Sequence, residues 1–276
     1  MTSIGEYAFY ACYGLTYVTI PEGVTWIGRG AFMQGGVRCF VIADGDGYIQ
    51  INENILSGSP TETLYIGRDY FSSYLYTSKM HKMGISTLTN VTIGKNIKKI
   101  PQSAFEGYSQ LTEIKGGNGV TAIGQRAFYG CEKLKSFYIP DGVKKIENCT
   151  FKDCKRLSDL RIGSGVEEIG DSVFYNCPLT RIYNYAEYPQ TCGKGVFSIV
   201  KPYCKLFVKE DSQDYYRVFP EWSSFNIQPM DAEALPVSPV FELQGNGEPY
   251  YDLNGRKVGK AKNGIYIHNG RKTVVK

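Results

Sequence analysis

Apolar residues recur along this chain in two interleaved phrases, and both keep a step of 23 residues. The first reads Ile-Gly-x-x-Ala-Phe. Ile100, Ile123, Ile146 and Ile169 stand 23 apart, each followed five residues later by Phe105, Phe128, Phe151 or Phe174. Ile4-Gly5 with Ala8-Phe9, and Ile27-Gly28 with Ala31-Phe32, repeat it near the start. The second phrase, Leu-x-x-Val-x-Ile closed by Pro or Gly, runs from Leu15 to Pro21, Leu88 to Gly94, Leu134 to Pro140 and Leu157 to Gly163. Weaker copies run from Val37 to Ala43, Leu111 to Gly117 and Leu179 to Tyr185. Its last two apolar positions lie two apart and share one face of an extended chain, which predicts a strand. The closing Pro or Gly ends the strand, and Gly-Val pairs such as Gly142-Val143 and Gly165-Val166 mark a turn into a second, shorter extended piece. Ala-Phe-x-x-Cys then leaves room for a turn, or for one to two turns of helix.

Self-similarity at this period predicts a solenoid, because a 23-residue unit cannot bury its own apolar set and must stack on its neighbours. The Phe positions should form the main spine of the core. The rhythm loosens over residues 43–87, where a strand from Thr61 to Gly67 is still recognisable, and the Tyr- and Ser-rich stretch from Arg68 to Met83 reads as a connection bulging from one edge. After a Pro-containing linker at 229–248, residues 249–276 change character. Asn254-Gly255 and Asn269-Gly270 sit between apolar alternations, a strong hairpin signal, so this tail reads as a small β-hairpin module.

The cysteines obey the repeat. Cys12, Cys131, Cys154 and Cys177 each follow a Phe by three residues, which predicts a ladder of buried thiols in place of zinc ligands or disulfides. Cys39, Cys149, Cys192 and Cys204 fall outside that register and are the positions open to pairing. The formal charge of +4 is concentrated in residues 249–276, which hold seven Lys/Arg against Asp252 alone and leave the rest at −2, so nucleic acid is not expected as a partner. No apolar run is long enough to cross a bilayer. The chain opens directly on the repeat without a leader, and we expect a signal peptide to have been removed or truncated; a chain truly starting at Met1 should self-associate through its first coil.

Leu-x-x-Val-x-Ile-Pro-x-Gly-Val-x-x-Ile-Gly-x-x-Ala-Phe-x-x-Cys, followed closely by Leu134 to Cys154 apart from Glu147 and Thr150, resembles the repeat of BspA-like bacterial leucine-rich-repeat proteins. The resemblance spans residues 1–228, and residues 203–228 look like the family's closing unit, a strand and short helix with a Trp over the core. It implies a β-rich leucine-rich-repeat solenoid of parallel strands, located outside the cell or on its outer surface, with adhesion to a host or to other bacteria as a role of some members. The tail resembles the sorting domains of proteins exported by the type IX route.

Candidate chemistry is sparse. His81 and His268 are the only histidines and support no catalytic triad. Asp44-Gly45-Asp46-Gly47 lacks the downstream carboxylate of a calcium loop and reads as a tight turn. We therefore expect no catalytic residues, no metal and no cofactor. What remains is the outward face of the main strands, where residues flanking the apolar positions form two parallel rows. Tyr17, Thr19, Tyr65, Thr92, Lys115, Tyr138, Arg161 and Tyr183 are the candidate ligand-binding surface, with a protein or glycan as the expected ligand. A structural spacer without a ligand is the alternative, and an enzyme the less favoured third.

Overall fold

The computed structural model describes residues 1–69, 83–199 and 203–230 in full, and strands within 250–275 by their backbone. Most coils contribute one two-residue strand and one four-residue strand, numbered here in chain order. The short strands are β1 (Ser3–Ile4), β3 (Trp26–Ile27), β5 (Gln50–Ile51), β8 (Lys99–Ile100), β10 (Ala122–Ile123), β12 (Lys145–Ile146), β14 (Glu168–Ile169) and β16 (Thr191–Cys192). The long strands are β2 (Tyr17–Ile20), β4 (Cys39–Ile42), β6 (Thr63–Ile66), β7 (Asn90–Ile93), β9 (Glu113–Gly116), β11 (Ser136–Ile139), β13 (Asp159–Ile162), β15 (Arg181–Asn184), β17 (Lys205–Val208) and β18 (Asn226–Pro229). Within each sheet they pair in parallel with the equivalent strand of the adjacent coil, commonly Ile on Ile, so the 23-residue period is the register. The alternation of apolar and polar residues becomes an alternation of buried and partly exposed ones, as in Val18 and Ile20 between Tyr17 and Thr19. Register persists through β5 and β6, so residues 43–66 continue the solenoid. The proposed bulge from Arg68 to Met83 falls mostly on 70–82, outside the described residues, as do His81 and the linker beyond Met230.

The Phe side of each coil is a run of turns and not a helix. Residues two before and two after the Phe adopt left-handed φ: Ser103, Arg126, Cys149 and Ser172 on one side, Gly107, Gly130, Asp153 and Asn176 on the other. This alternation aims every second N–H group along the solenoid axis. Ser103, Phe105 and Gly107 donate to the carbonyls of Gln125, Ala127 and Tyr129 at 2.9, 2.7 and 2.7 Å. The turn face is thus tied coil to coil, which a helix, spending its N–H groups internally, could not do.

Inside, the rings stack. Phe105, Phe128, Phe151, Phe174 and Phe197 follow one another at centroid spacings of 5.4, 5.2, 5.6 and 5.7 Å, nearly coplanar in orientation. Phe9 and Phe32 stack likewise at 5.1 Å, and between Phe32 and Phe105 the column gives way to buried aliphatics, Leu56 and Met83 among them. Three of the four ladder thiols are buried and donate to a Phe carbonyl of the preceding coil: Cys131 to Phe105 at 3.2 Å, Cys154 to Phe128 at 3.2 Å, Cys177 to Phe151 at 3.0 Å; Cys12, expected to be buried with them, is half-buried in the first coil. Ser59 makes the same bond to Phe32 at 2.8 Å, which shows that the slot calls for a small donor. No disulfide joins any of the eight cysteines, including those outside the ladder.

The last described coil is closed by β17, a 3₁₀ turn (Glu210–Ser212), helix α1 (Gln213–Val218) and β18. Trp222 is fully buried edge-on against Phe197, its indole N–H donating to the Gln190 carbonyl at 3.1 Å. Arg68, also fully buried, donates to the carbonyls of Pro21 (2.9 Å), Glu22 and Val24 (2.6 Å), reaching across the intervening coil to a turn two coils back. In the tail, β19 (Tyr250–Tyr251), β20 (Lys257–Val258), β21 (Gly264–His268) and β22 (Arg271–Val275) form an antiparallel sheet. The Asn-Gly pairs expected to turn its hairpins lie outside the described residues.

The long-strand sheet is not continuous. It divides into β2-β4-β6-β7-β9 and β11-β13-β15-β17-β18, while the short-strand sheet runs unbroken from β8 through β10 to β16. In the coils on both sides, two N–H groups at the start of a long strand donate to one carbonyl of the preceding coil: Thr112 and Glu113 to Thr89, Ser158 and Asp159 to Lys135. The equivalent bonds onto Thr112 are missing between β9 and β11. At the strand's end, Gly117 donates to Ile93 and Gly163 to Ile139 at 2.9 Å, but the residue due to donate to Gly116 is Pro140, which has no N–H. Gly116 and Gly117 both take left-handed φ, 75° and 74°, and turn the end of β9 out of line.

Candidate binding surface

Ten long strands project two outward rows. One carries Tyr17, Cys39, Thr63, Asn90 and Glu113, then Ser136, Asp159, Arg181, Lys205 and Asn226. The other carries Thr19, Val41, Tyr65, Thr92 and Lys115, then Tyr138, Arg161, Tyr183, Phe207 and Gln228. Seven of the eight candidates occupy the second row and Tyr17 the first. The break between β9 and β11 separates them: Thr19, Tyr65, Thr92 and Lys115 stand on one side, Tyr138, Arg161 and Tyr183 on the other.

Much of this polar surface is spoken for. The Tyr65 hydroxyl donates to Asp44 of the preceding coil at 2.8 Å, which ties the Asp44–Gly47 stretch to β6. Lys115 pairs with Glu113 at 3.0 Å, and Glu113 also receives the Asn90 amide at 3.0 Å. Asp159 takes Arg181 from the next coil. The Thr19 hydroxyl is enclosed and makes no hydrogen bond, so it offers nothing to a ligand. Tyr138 donates to Asp141 at 3.0 Å; Asp141 also receives the backbone N–H and hydroxyl of Ser164 at 2.7 and 3.1 Å. Burial first, and the Asp141 carboxylate second, hold the Tyr138 phenol well above its ordinary pKa, so it remains a neutral donor.

The C-terminal half of the second row makes a continuous strip. Tyr183 stacks on Phe207 at 4.7 Å and 11°, and the Arg161 guanidinium lies 5.5 Å from the Tyr183 ring centroid. Each face of Tyr183 is therefore covered by a neighbour, Arg161 from β13 and Phe207 from β17, and the strip offers ring edges to solvent. Phe207 escapes the sequence pattern because it lies in the closing unit, after the 23-residue phrase has lapsed.

A second aromatic row runs along the turn face. Arg126 packs over Tyr129 at 4.0 Å and pairs with Glu106 at 2.7 Å; Lys152 packs over Tyr175 at 4.8 Å. Its sequence signal is the Tyr that follows the Phe in three of the six copies, Tyr10, Tyr129 and Tyr175, which the strand-centred reading passes over. Among the described residues no group of three or more His, Cys, Asp or Glu is placed to hold a metal ion.

Comparison with known proteins adds a family and several structures. The family described as the BspA type leucine rich repeat region matches in six copies over residues 1–85 and 81–200. A search of curated proteins gives no match. Among solved structures, a leucine-rich repeat protein from Bacteroides ovatus ATCC 8483 is 20% identical, with 67% of this chain and 70% of that chain covered and a TM-score of 0.41. The leucine rich repeat protein of T. pallidum is 21% identical over 64% and 70%, with a TM-score of 0.38. A leucine rich cell surface protein from Faecalibacterium prausnitzii A2-165 is 18% identical over 77% and 74%, with a TM-score of 0.31.

Proposed function

We propose that this chain, which belongs to the BspA-type leucine-rich-repeat family, is a non-enzymatic binding protein of the bacterial surface or exterior. It recognises a protein or glycan of a host or of another bacterium, in the manner of an adhesin, through the outward rows of its long-strand sheet. The observation that carries this reading is the strip Tyr138, Arg161, Tyr183 and Phe207, four large side chains in register on neighbouring strands, with Tyr183 held between Arg161 and Phe207 and Tyr138 held by Asp141. Such preorganisation lowers the entropy lost on binding.

A spacer reading draws on a different observation. Many charges on the solenoid pair across coils, Arg38 with Glu62, Lys144 with Glu167, Lys145 with Glu168 and Lys155 with Glu132, which serves stiffness more than recognition. Screening the purified chain on glycan and protein arrays separates the two. Binding that falls at least tenfold in Tyr183→Ala and Tyr138→Ala, with unchanged thermal unfolding, supports recognition; Tyr17→Ala tests whether the first row takes part. A chain that captures nothing on either array favours the spacer, and turnover of an array component sinks both.

A further inference from the structure

We propose that the strip on β11 to β17 takes an acidic polypeptide: Glu or Asp side chains of a protein partner pair with Arg161 and Lys205, while the apolar parts of the same segment lie along the ring edges of Tyr183 and Phe207. This rests on the binding reading above and narrows its ligand to a protein segment rich in carboxylates.

The first ground is charge left without a partner. On this side of the molecule three cations meet acids: Arg38 with Glu62 and Lys115 with Glu113, both at 3.0 Å, and Arg181 with Asp159 of the coil before it. Arg161 and Lys205 are exposed on the same sheet, and among the described residues neither has an ion-pair partner. The acids at hand are already engaged. Asp159 holds Arg181 and the Ser158 hydroxyl, and Asp141 accepts from the Tyr138 hydroxyl and from both the N–H and the hydroxyl of Ser164. The face therefore keeps two cations for which its own sheet supplies no counter-charge, and complementary charge from outside gives both attraction and register.

Geometry is the second ground. The Arg161 guanidinium sits on the Tyr183 ring, whose other face is covered by Phe207. A guanidinium seated on a ring spends its face there and keeps its N–H edge for an acceptor, and that fork matches the two oxygens of a carboxylate. Lys205 stands two residues before Phe207 and in register with Arg181, while Phe207 and Arg161 flank Tyr183. Strand spacing and rise put the Lys205 and Arg161 Cα atoms about 12 Å apart, close to the separation of acids four residues apart on an extended chain. One segment thus reaches both cations across the rings. The third ground separates polypeptide from glycan. With both faces of Tyr183 covered, a sugar ring finds no open face there to stack on, whereas the methylenes of a Glu side chain pack against ring edges.

The test uses the full chain and a fluorescein-labelled peptide of ten glutamates, read by anisotropy at low salt. We expect saturable binding that falls at least tenfold in the Arg161→Gln, Lys205→Gln double variant, with Arg161→Lys, which keeps the charge and loses the fork, in between. The control is Lys144→Gln with Lys155→Gln, which removes as much positive charge from cations already paired elsewhere and should leave affinity unchanged. Equal affinity in the Arg161→Gln, Lys205→Gln variant, the result that capture by the basic residues of 249–276 gives, overturns the proposal. No binding by the unaltered chain, or tighter binding of polygalacturonate, which carries its carboxylates on sugar, overturns it as well. Both of those are read on unaltered protein, so neither depends on a variant folding. A neutral protein captured on the array and lost in Tyr183→Ala sinks this narrowing and leaves the broader reading standing, so the two fail separately.

Discussion

At the residue scale, each slot of the coil selects for a physical property and not for a residue. The thiol slot takes Cys or Ser because it needs a short donor facing the carbonyl behind it. The Phe slot needs a flat ring that stacks on its neighbours, so Phe128→Ala removes both burial and two stacked contacts and should cost about 3–5 kcal/mol in urea unfolding. The cysteines also set a pH limit. Burial, aided at Cys192 by the Glu221 charge, pushes the thiols of Cys192 and Cys204 up to about 12 from an ordinary 9.0. Below pH 9 both are neutral in the folded and unfolded chain, and their contribution to stability is complete. Between pH 9 and about 12 the unfolded chain ionises and the folded one does not, so stability falls as pH rises. We expect the thermal midpoint to drop between pH 8 and pH 10.5, less steeply in the Cys192→Ala, Cys204→Ala double variant; parallel slopes would contradict this. Raised tyrosines such as Tyr216 and Tyr138 act in the same direction and remain in both proteins.

At the element scale, the strands were legible in the sequence and the turn face was not. Alternation in Leu-x-x-Val-x-Ile marks one buried face wherever it occurs, so the long strands from β2 to β15 follow from it directly. The turn run carries no comparable mark, because its left-handed positions two before the Phe hold Ser103, Arg126, Cys149 and Ser172, and Gly advertises the conformation there only at Gly30 and Gly195, and two after the Phe at Gly107 and Gly130 but not at Asp153 or Asn176. Most of these residues bear a Cβ in a region that disfavours it, at about 1–2 kcal/mol each. Ser172→Gly should therefore raise stability by about 0.5–1 kcal/mol, the relief exceeding the entropy that Gly adds to the unfolded chain, whereas Ser172→Val should lower it. Equal urea midpoints for the two variants would mean the φ of 54° carries no strain. The break in the sheet was hidden for a related reason. Pro140 closes its strand just as Pro21 does, and nothing in the phrase says that one of them faces a carbonyl waiting for a donor.

For the whole molecule, the period made the architecture readable and left the binding surface only half readable. Register places Tyr65, Tyr138 and Tyr183 on one face, as the spacing implies, but hydrogen bonds to Asp44 and Asp141 and the stacking on Phe207 decide what each has left to offer. Those partners sit in bends and in the closing unit, where the repeat is silent. Arg68 is another departure. A stack in which every coil touches only the next unravels from its ends one layer at a time, each amide opening independently of those two layers away. By spanning 44 to 47 residues to hold three carbonyls of the 21–24 turn, Arg68 couples layers that share no direct face. Hydrogen exchange should show the amides of Val24 and Gly67 opening together with a common free energy, and Arg68→Met should let Val24 exchange first while Gly67 stays protected. A single guanidinium would then set how many coils yield at once, turning a fraying end into a cooperative one.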